Sequence, residues 1–271
     1  MGNSKGIAVL KPIRAEMARI ASYLWEKGWA ERNAGNFSIR ITEDIPLIQI
    51  ITDKAIKATP LEMPFPDLAG ELILISNSGS RMREFSKKPA KFSCLIKIES
   101  KGEAYRIIRE EGRPQGIPTS ELLSHLAIHD MLMKNKPHDR AVIHSHVTEL
   151  IALSHMSEVH SSESLSRLLW SMHPEILMFL PLGMGFLPFQ LPGTIELAKA
   201  SAEKLEKYPA LLWEKHGCIS TAASISEAFD IMDMAAKAAK IYFMASSSGQ
   251  RPDGLGLLHI DQIKEHYFKK K

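Results

Sequence analysis

Long apolar runs, cysteine and a surplus of either charge are all scarce in this chain, and each shortage removes a class of protein. No stretch reaches the roughly 20 consecutive apolar residues that cross a bilayer, and no basic and apolar leader opens the sequence, so a soluble cytoplasmic protein is expected. Cys94 and Cys218 are the two cysteines in 271 residues; they allow one disulfide at most and read as buried thiols. The 34 basic and 31 acidic residues are spread along the chain and leave a net charge of +3. Neither nucleic acid nor a membrane surface is therefore needed as a partner, while a small anionic molecule is compatible. The phosphate-loop spacing GxxxxGKS or GxxxxGKT is missing. So is the HExxH pattern of zinc proteases, because Leu126 follows His125 where a glutamate is required, even though His129 has the right spacing. The pair His125 and His129 reads as structural, or as support for a site. No internal repeat or low-complexity tract appears, and with 45% hydrophobic and 24% charged residues the chain is expected to form one domain over residues 1–271.

What is present centres on Ala141-Val142-Ile143-His144-Ser145-His146. A strand points alternate side chains to one face, so an extended run here aims His144 and His146 the same way and Ser145 the other. Two imidazoles so placed can converge on one metal ion, although histidines at i and i+2 can also line a polar strand without binding anything. A catalytic zinc takes three protein ligands and keeps a further position open. His216 is the candidate third ligand: it ends the apolar run Leu211-Leu212-Trp213 and precedes Gly217, which lets backbone approach closely.

Along the chain, residues 11 to 28 show helical spacing of Ile13, Met17, Ile20, Ala21 and Leu24, closed by Gly28. Asn33-Ala34-Gly35-Asn36 forms a turn into a strand over Phe37 to Ile41; its amides either make an anion-binding nest or serve a plain turn. Residues 43 to 70 hold four prolines and read as a long excursion with one strand. The buried strand Glu71 to Ser76 empties into Asn77-Ser78-Gly79-Ser80, small residues whose N–H groups can wrap a phosphate. Strands around Phe92 to Ile98 and Ala104 to Ile108 suggest a hairpin. Pro118-Thr119-Ser120-Glu121 starts a helix, where Glu121 either complements the helix dipole or acts as a base beside a metal. Further helices are expected over Thr148 to Ser154, Glu163 to Trp170, Thr194 to about Tyr208 and Ser224 to about Met244, with a partly helical tail from Leu255. Strands are expected at Ile176 to Leu180 and, as a hairpin around His216, at Ala210 to Trp213 and Cys218 to Ser220. The sum is an α/β fold with a mainly antiparallel sheet covered by helices.

Taken together in order and spacing, several islands resemble the zinc-dependent class II sugar-phosphate aldolases, over nearly the whole chain. They are Gly28 to Asn36, Ser78-Gly79, Pro118 to Glu121, His144-Ser145-His146, Leu169-Trp170 with Glu175, Leu191 to Thr194, and His216-Gly217. The likeness is greatest to the branch of that family acting on L-rhamnulose 1-phosphate. The resemblance implies a three-layer α/β/α sandwich, a homotetramer with sites between subunits, and cleavage of that sugar phosphate to dihydroxyacetone phosphate and L-lactaldehyde. It assigns zinc to His144, His146 and His216, proton transfer to Glu121, and the phosphate to Asn33, Asn36, Ser78, Gly79 and Ser120. It further implies that Glu175 assists at the aldehyde end from a neighbouring subunit. Asn77, Ser80 and the segment Ser171 to Pro174 depart from the family pattern. Pentulose-phosphate 4-epimerases, thio-sugar-phosphate dehydratases and the adducin head share the scaffold. The 43 to 70 excursion and Glu175 favour the aldolase branch over the first two, and the three histidines with Glu121 argue against an inert head.

Overall fold

The computed structural model describes residues 3–42, 57–108 and 116–268, and nine strands within them form one sheet in the order β2-β5-β4-β3-β1-β6-β9-β8-β7. These strands are β1 (Asn36–Arg40), β2 (Thr59–Pro60), β3 (Leu72–Ser76), β4 (Ser93–Ile98), β5 (Ala104–Ile108), β6 (Ala141–Ser145), β7 (Gly185–Leu187), β8 (Ala210–Trp213) and β9 (Gly217–Ala222). All neighbours run antiparallel except β7 beside β8. Both faces of the sheet carry apolar side chains, so helices must cover both, and the result is the anticipated α/β/α sandwich.

On one face, Phe37, Ile39, Leu72, Leu74, Ile143 and Leu212 join one apolar cluster. It takes in residues of α1 (Asn3–Glu26), α2 (Met82–Phe85), α4 (Thr148–Leu153), α5 (Ser162–Met172) and the long α8 (Ile225–Ser246). On the other face, Ile73, Ile75, Ile96, Val142, Leu211 and Ile219 pack against α3 (Leu122–Asn135) and α7 (Ile195–Leu205). The outer helix α9 (Leu257–Phe268) touches α6 (Pro174–Phe179). No helix among the described residues is long and apolar enough to cross a membrane.

Several expectations shift. The helix expected from residue 11 begins eight residues earlier, at Asn3, with Pro12 inside it. Of the 43 to 70 excursion, residues 43–56 lie outside the described residues. The rest supplies the two-residue β2 on the sheet edge, where Pro60 is tolerated, and one 3-10 turn at Pro66–Leu68.

The strand expected at Ile176 to Leu180 is a helix, α6. Five apolar residues fit either form by pattern alone. What decides is the start: His173 accepts a hydrogen bond from the Glu175 N–H, and Pro174 stands at the first helical position with its backbone angle already set. Ile176 and Leu180 then bury on one face, while Met178 and Phe179 stay exposed. The strand β7, three residues long, is too short to show any periodicity and was not anticipated.

Cys94 and Cys218 are buried. So are three histidines whose environment keeps them neutral. Burial lowers His125 to about 3, with the nearby His144 adding to the effect, and lowers His144 to about 3, with His146 adding. Burial likewise holds His129 well below the usual range, with His125 and Arg40 adding. The unfolded chain binds protons at all three below pH 6.5 and the folded chain does not, so stability must fall as pH drops through that value. Denaturant unfolding of the metal-free protein should therefore lose about 1.4 kcal/mol for each neutral histidine between pH 7.5 and 5.5. Equal stability at the two pH values would show that these groups are not held neutral.

Candidate metal centre and cleft

The site is built at the ends of β1, β6 and the β8–β9 hairpin, where backbone register decides which side chains meet. Asn36 lies opposite His144 in the β1–β6 ladder. Its neighbour on the same strand face, Ser38, points toward α3. The β8–β9 hairpin pairs Trp213 with Gly217, leaving Glu214, Lys215 and His216 to make the turn. Lys215 takes a left-handed φ of +58°, which a side chain of that size accepts only when its surroundings impose it. Gly217 has no room for anything larger: a Cβ there would lie 2.7 Å from the Ser145 carbonyl oxygen and 2.8 Å from the His144 ring.

This geometry brings His144, His146 and His216 together, with one candidate ligand atom from each within 4.8 Å of the others. Their hydrogen bonds leave nitrogens available. His144 Nδ1 donates to the Cys218 carbonyl at 3.0 Å, since a carbonyl can only accept, so its Nε2 carries a lone pair. That Nε2 is buried and has no partner, and neither does His216 Nδ1. His146 Nδ1 donates to Glu31 Oε1 at 2.6 Å, the carboxylate–imidazole pairing that orients metal-bound histidines. Burial and the two other imidazoles lower His216 to about 4, against the opposing pull of Glu121. Three imidazoles gathered at one point, with the His144 Nε2 lone pair buried and otherwise unpartnered, are a donor set suited to zinc.

Glu121 faces this cluster. Its carboxylate lies 3.6 Å from His144 Nε2 and 3.7 Å from His216 Nε2, too far for hydrogen bonds, and with both rings neutral these contacts are not ion pairs. It makes no capping bond to α3, which removes the simplest structural role for an acid at that position. Instead it accepts from Asn36 Nδ2 at 3.0 Å.

A cleft of about 350 Å³ opens beside the carboxylate, lined by Arg32, Asn33, Gly35, Asn36, Asn77, Ser78, Gly79, Ser120 and the three histidines, among others. All five residues expected at a phosphate are thus in one place. The Ser78 N–H donates to the Ile117 carbonyl and the Thr119 N–H to that of Ser76, tying the two loops together. Gly79 has φ +71° and open space beyond its Cα. Glu175 does not line this cleft; it is exposed in the first turn of α6.

Three residues at the site were not anticipated. Glu31 lies inside the Gly28 to Asn36 island but has no spacing relation to a histidine. Arg32 brings a positive charge to the cleft with a left-handed φ of +50°. The Trp213 indole stacks on His216 at 5.1 Å between centroids and lies 4.7 Å from His144, held by its own hydrogen bond to Ser201. Only the apolar run before His216 hinted at it.

Residues 15–243 match the family described as class II aldolase and adducin N-terminal domain, and the chain belongs to that family. It is 38% identical over 253 residues to a rhamnulose-1-phosphate aldolase of Bacteroides thetaiotaomicron, covering 92% of this chain and 91% of the relative. A rhamnulose-1-phosphate aldolase of Listeria welshimeri is 34% identical, with 85% and 82% covered. Among solved structures, a sugar-phosphate aldolase from Thermotoga maritima superposes with a TM-score of 0.76 at 31% identity, over 90% of this chain and 99% of that one.

The Glu31–His146 contact makes a prediction. Glu31→Gln should weaken zinc binding by about 10–100-fold, the usual effect of losing such a partner, with the fold intact by circular dichroism. Competition against a chromogenic chelator measures it, and unchanged affinity would make the contact incidental.

Proposed function

We propose that this protein is an aldolase that cleaves L-rhamnulose 1-phosphate reversibly to dihydroxyacetone phosphate and L-lactaldehyde, with the whole chain acting as one catalytic domain. The observation that carries the chemistry is the carboxylate of Glu121 set beside three converging imidazoles. The substrate follows the rhamnulose-1-phosphate aldolases to which the chain is similar over most of its length.

His144, His146 and His216 would hold the metal, and a zinc ion there supplies Lewis-acid stabilisation of the negative charge left on the three-carbon half. The residues of the chain do the rest. In the cleavage direction a base at the aldehyde end takes the C4 hydroxyl proton, the C3–C4 bond breaks, and its electron pair moves into the dihydroxyacetone-phosphate half. Glu121, having taken up a proton from solvent, delivers it to C3; in synthesis the ionised carboxylate removes it. Its bond from Asn36 holds it facing the cluster.

Asn33, Asn36, Ser78, Gly79 and Ser120 would surround the phosphate, with Arg32 as the cation at the same cleft. Each charge-assisted bond to phosphate adds about 1.5–3 kcal/mol and fixes the reacting carbons relative to Glu121. Glu175, which does not line its own chain's cleft, would serve the C4 hydroxyl from a neighbouring subunit of a homotetramer. Exposed Phe179 and Leu182 beside α6 are apolar surface that a neighbour would cover. Buried thiols suit a cytoplasmic enzyme.

Incubation of the zinc-loaded protein with L-rhamnulose 1-phosphate, L-fuculose 1-phosphate and L-ribulose 5-phosphate tests this reading. Lactaldehyde and dihydroxyacetone phosphate should form fastest from the first. A 4-epimer of the pentulose phosphate as main product would make it an epimerase, and no turnover of any would point to an inert head. Ser78→Ala should raise KM for the sugar phosphate without loss of zinc; unchanged KM and phosphate inhibition would return that loop to a purely structural role.

A further inference from the structure

We propose that His125 and Ser38 are positioning residues, which fix the Asn36 amide so that its amino group rather than its carbonyl faces Glu121. This deepens the reading of Glu121 as the proton-transferring carboxylate and rests on it.

The observation is an unbroken buried chain of hydrogen bonds. Ser38 Oγ lies 2.7 Å from His125 Nδ1 and 2.8 Å from His129 Nε2. His125 Nε2 bonds Asn36 Oδ1, and Asn36 Nδ2 bonds Glu121 Oε2 at 3.0 Å. Ser38 and His125 are fully buried, and His129 is nearly so.

The direction of every bond follows from the end in the cleft. An ionised carboxylate can only accept, so Asn36 must present its amino group to Glu121. Its carbonyl oxygen therefore faces His125 Nε2, which must carry the hydrogen. A neutral imidazole then has a lone pair at Nδ1, so the Ser38 hydroxyl donates to it. The serine oxygen in turn accepts from His129 Nε2–H. With His125 in the other tautomer, the Asn36 amide would turn over to donate to it. Its carbonyl dipole would then point at the Glu121 carboxylate and repel it.

Packing alone does not explain these residues. On α3, His125 and His129 stand among Leu126, Ile128 and Leu132, all with no exposed surface, and apolar residues would fill the same volume without the desolvation of three polar groups. The chain reaches the cleft, and its last link there is the group assigned to proton transfer. Asn36 thus has its carbonyl committed to the interior and one amino hydrogen committed to Glu121.

The direct test is ¹⁵N NMR of the zinc-loaded, imidazole-labelled protein without substrate. His125 should show a protonated Nε2 and an unprotonated Nδ1; the opposite tautomer overturns the proposal. Because this measurement needs no turnover, it separates failure here from failure of the aldolase reading. In kinetics, His125→Leu should lower kcat by about 10–100-fold, the range for loss of a supporting partner at a site, with zinc content unchanged. His125→Gln, whose side-chain N–H can replace Nε2–H, should recover most of the rate. Equal kcat losses in the two variants, or a loss confined to KM or zinc, would reduce His125 to a structural residue. Should His125→Leu not fold, Ser38→Ala removes a single buried hydroxyl, and the same kcat loss is expected; unchanged kcat there would overturn the proposal.

Discussion

Because Asn36 lies opposite His144 in the β1–β6 ladder, one antiparallel register links the metal cluster, the carboxylate and the helix behind them. A slip by one residue would turn Asn36 and Ser38 toward the α1 and α8 face and bring Phe37 against the histidines. The register is held on that face by Phe37, Ile39 and Ile143, whose burial a one-residue slip would undo. Apolar packing on one side of the sheet therefore places the polar chemistry on the other.

The site is also a place where the fold accepts cost. Three histidines are buried neutral, His144 Nε2 and His216 Nδ1 have no partner, and Arg32 and Lys215 are the two non-glycine residues with left-handed backbone among those described. Each such feature is unfavourable by itself. They collect around one cleft, which is the pattern expected where a fold holds donor atoms ready for a ligand, and metal binding would return part of what the empty arrangement gives up.

Much of this was legible in the amino-acid sequence because periodicity and spacing report directly on it. The alternation in Ala141 to His146 placed two imidazoles on one face, and the apolar run before His216 placed the third at a strand end. Phosphate-loop candidates were visible as small residues directly after strands. What could not be read was long-range pairing without a spacing rule. Glu31 against His146, Trp213 against two imidazoles, and Ser38 between His125 and His129 depend on which strands become neighbours. The pair His125 and His129 lies outside the three-histidine cluster, and its connection to Glu121 needed the register. The helix α6 shows the other limit, since a five-residue apolar run carries no period and its form was decided by the cap at His173 and Pro174.

On the proposed reading, Glu121 moves the proton on the carbon next to the carbonyl, beside a metal that the three imidazoles would hold. Exchange of the hydroxymethyl proton of dihydroxyacetone phosphate with deuterated water isolates that step, since no aldehyde is required. The zinc-loaded protein should exchange it readily. The zinc-loaded Glu121→Gln variant, nearly equal in shape and with its metal retained, should be slower by about 10²–10⁴-fold, whereas Glu175→Gln should exchange as fast as the parent. Rapid exchange in the Glu121→Gln variant would contradict the account and assign the proton to another group.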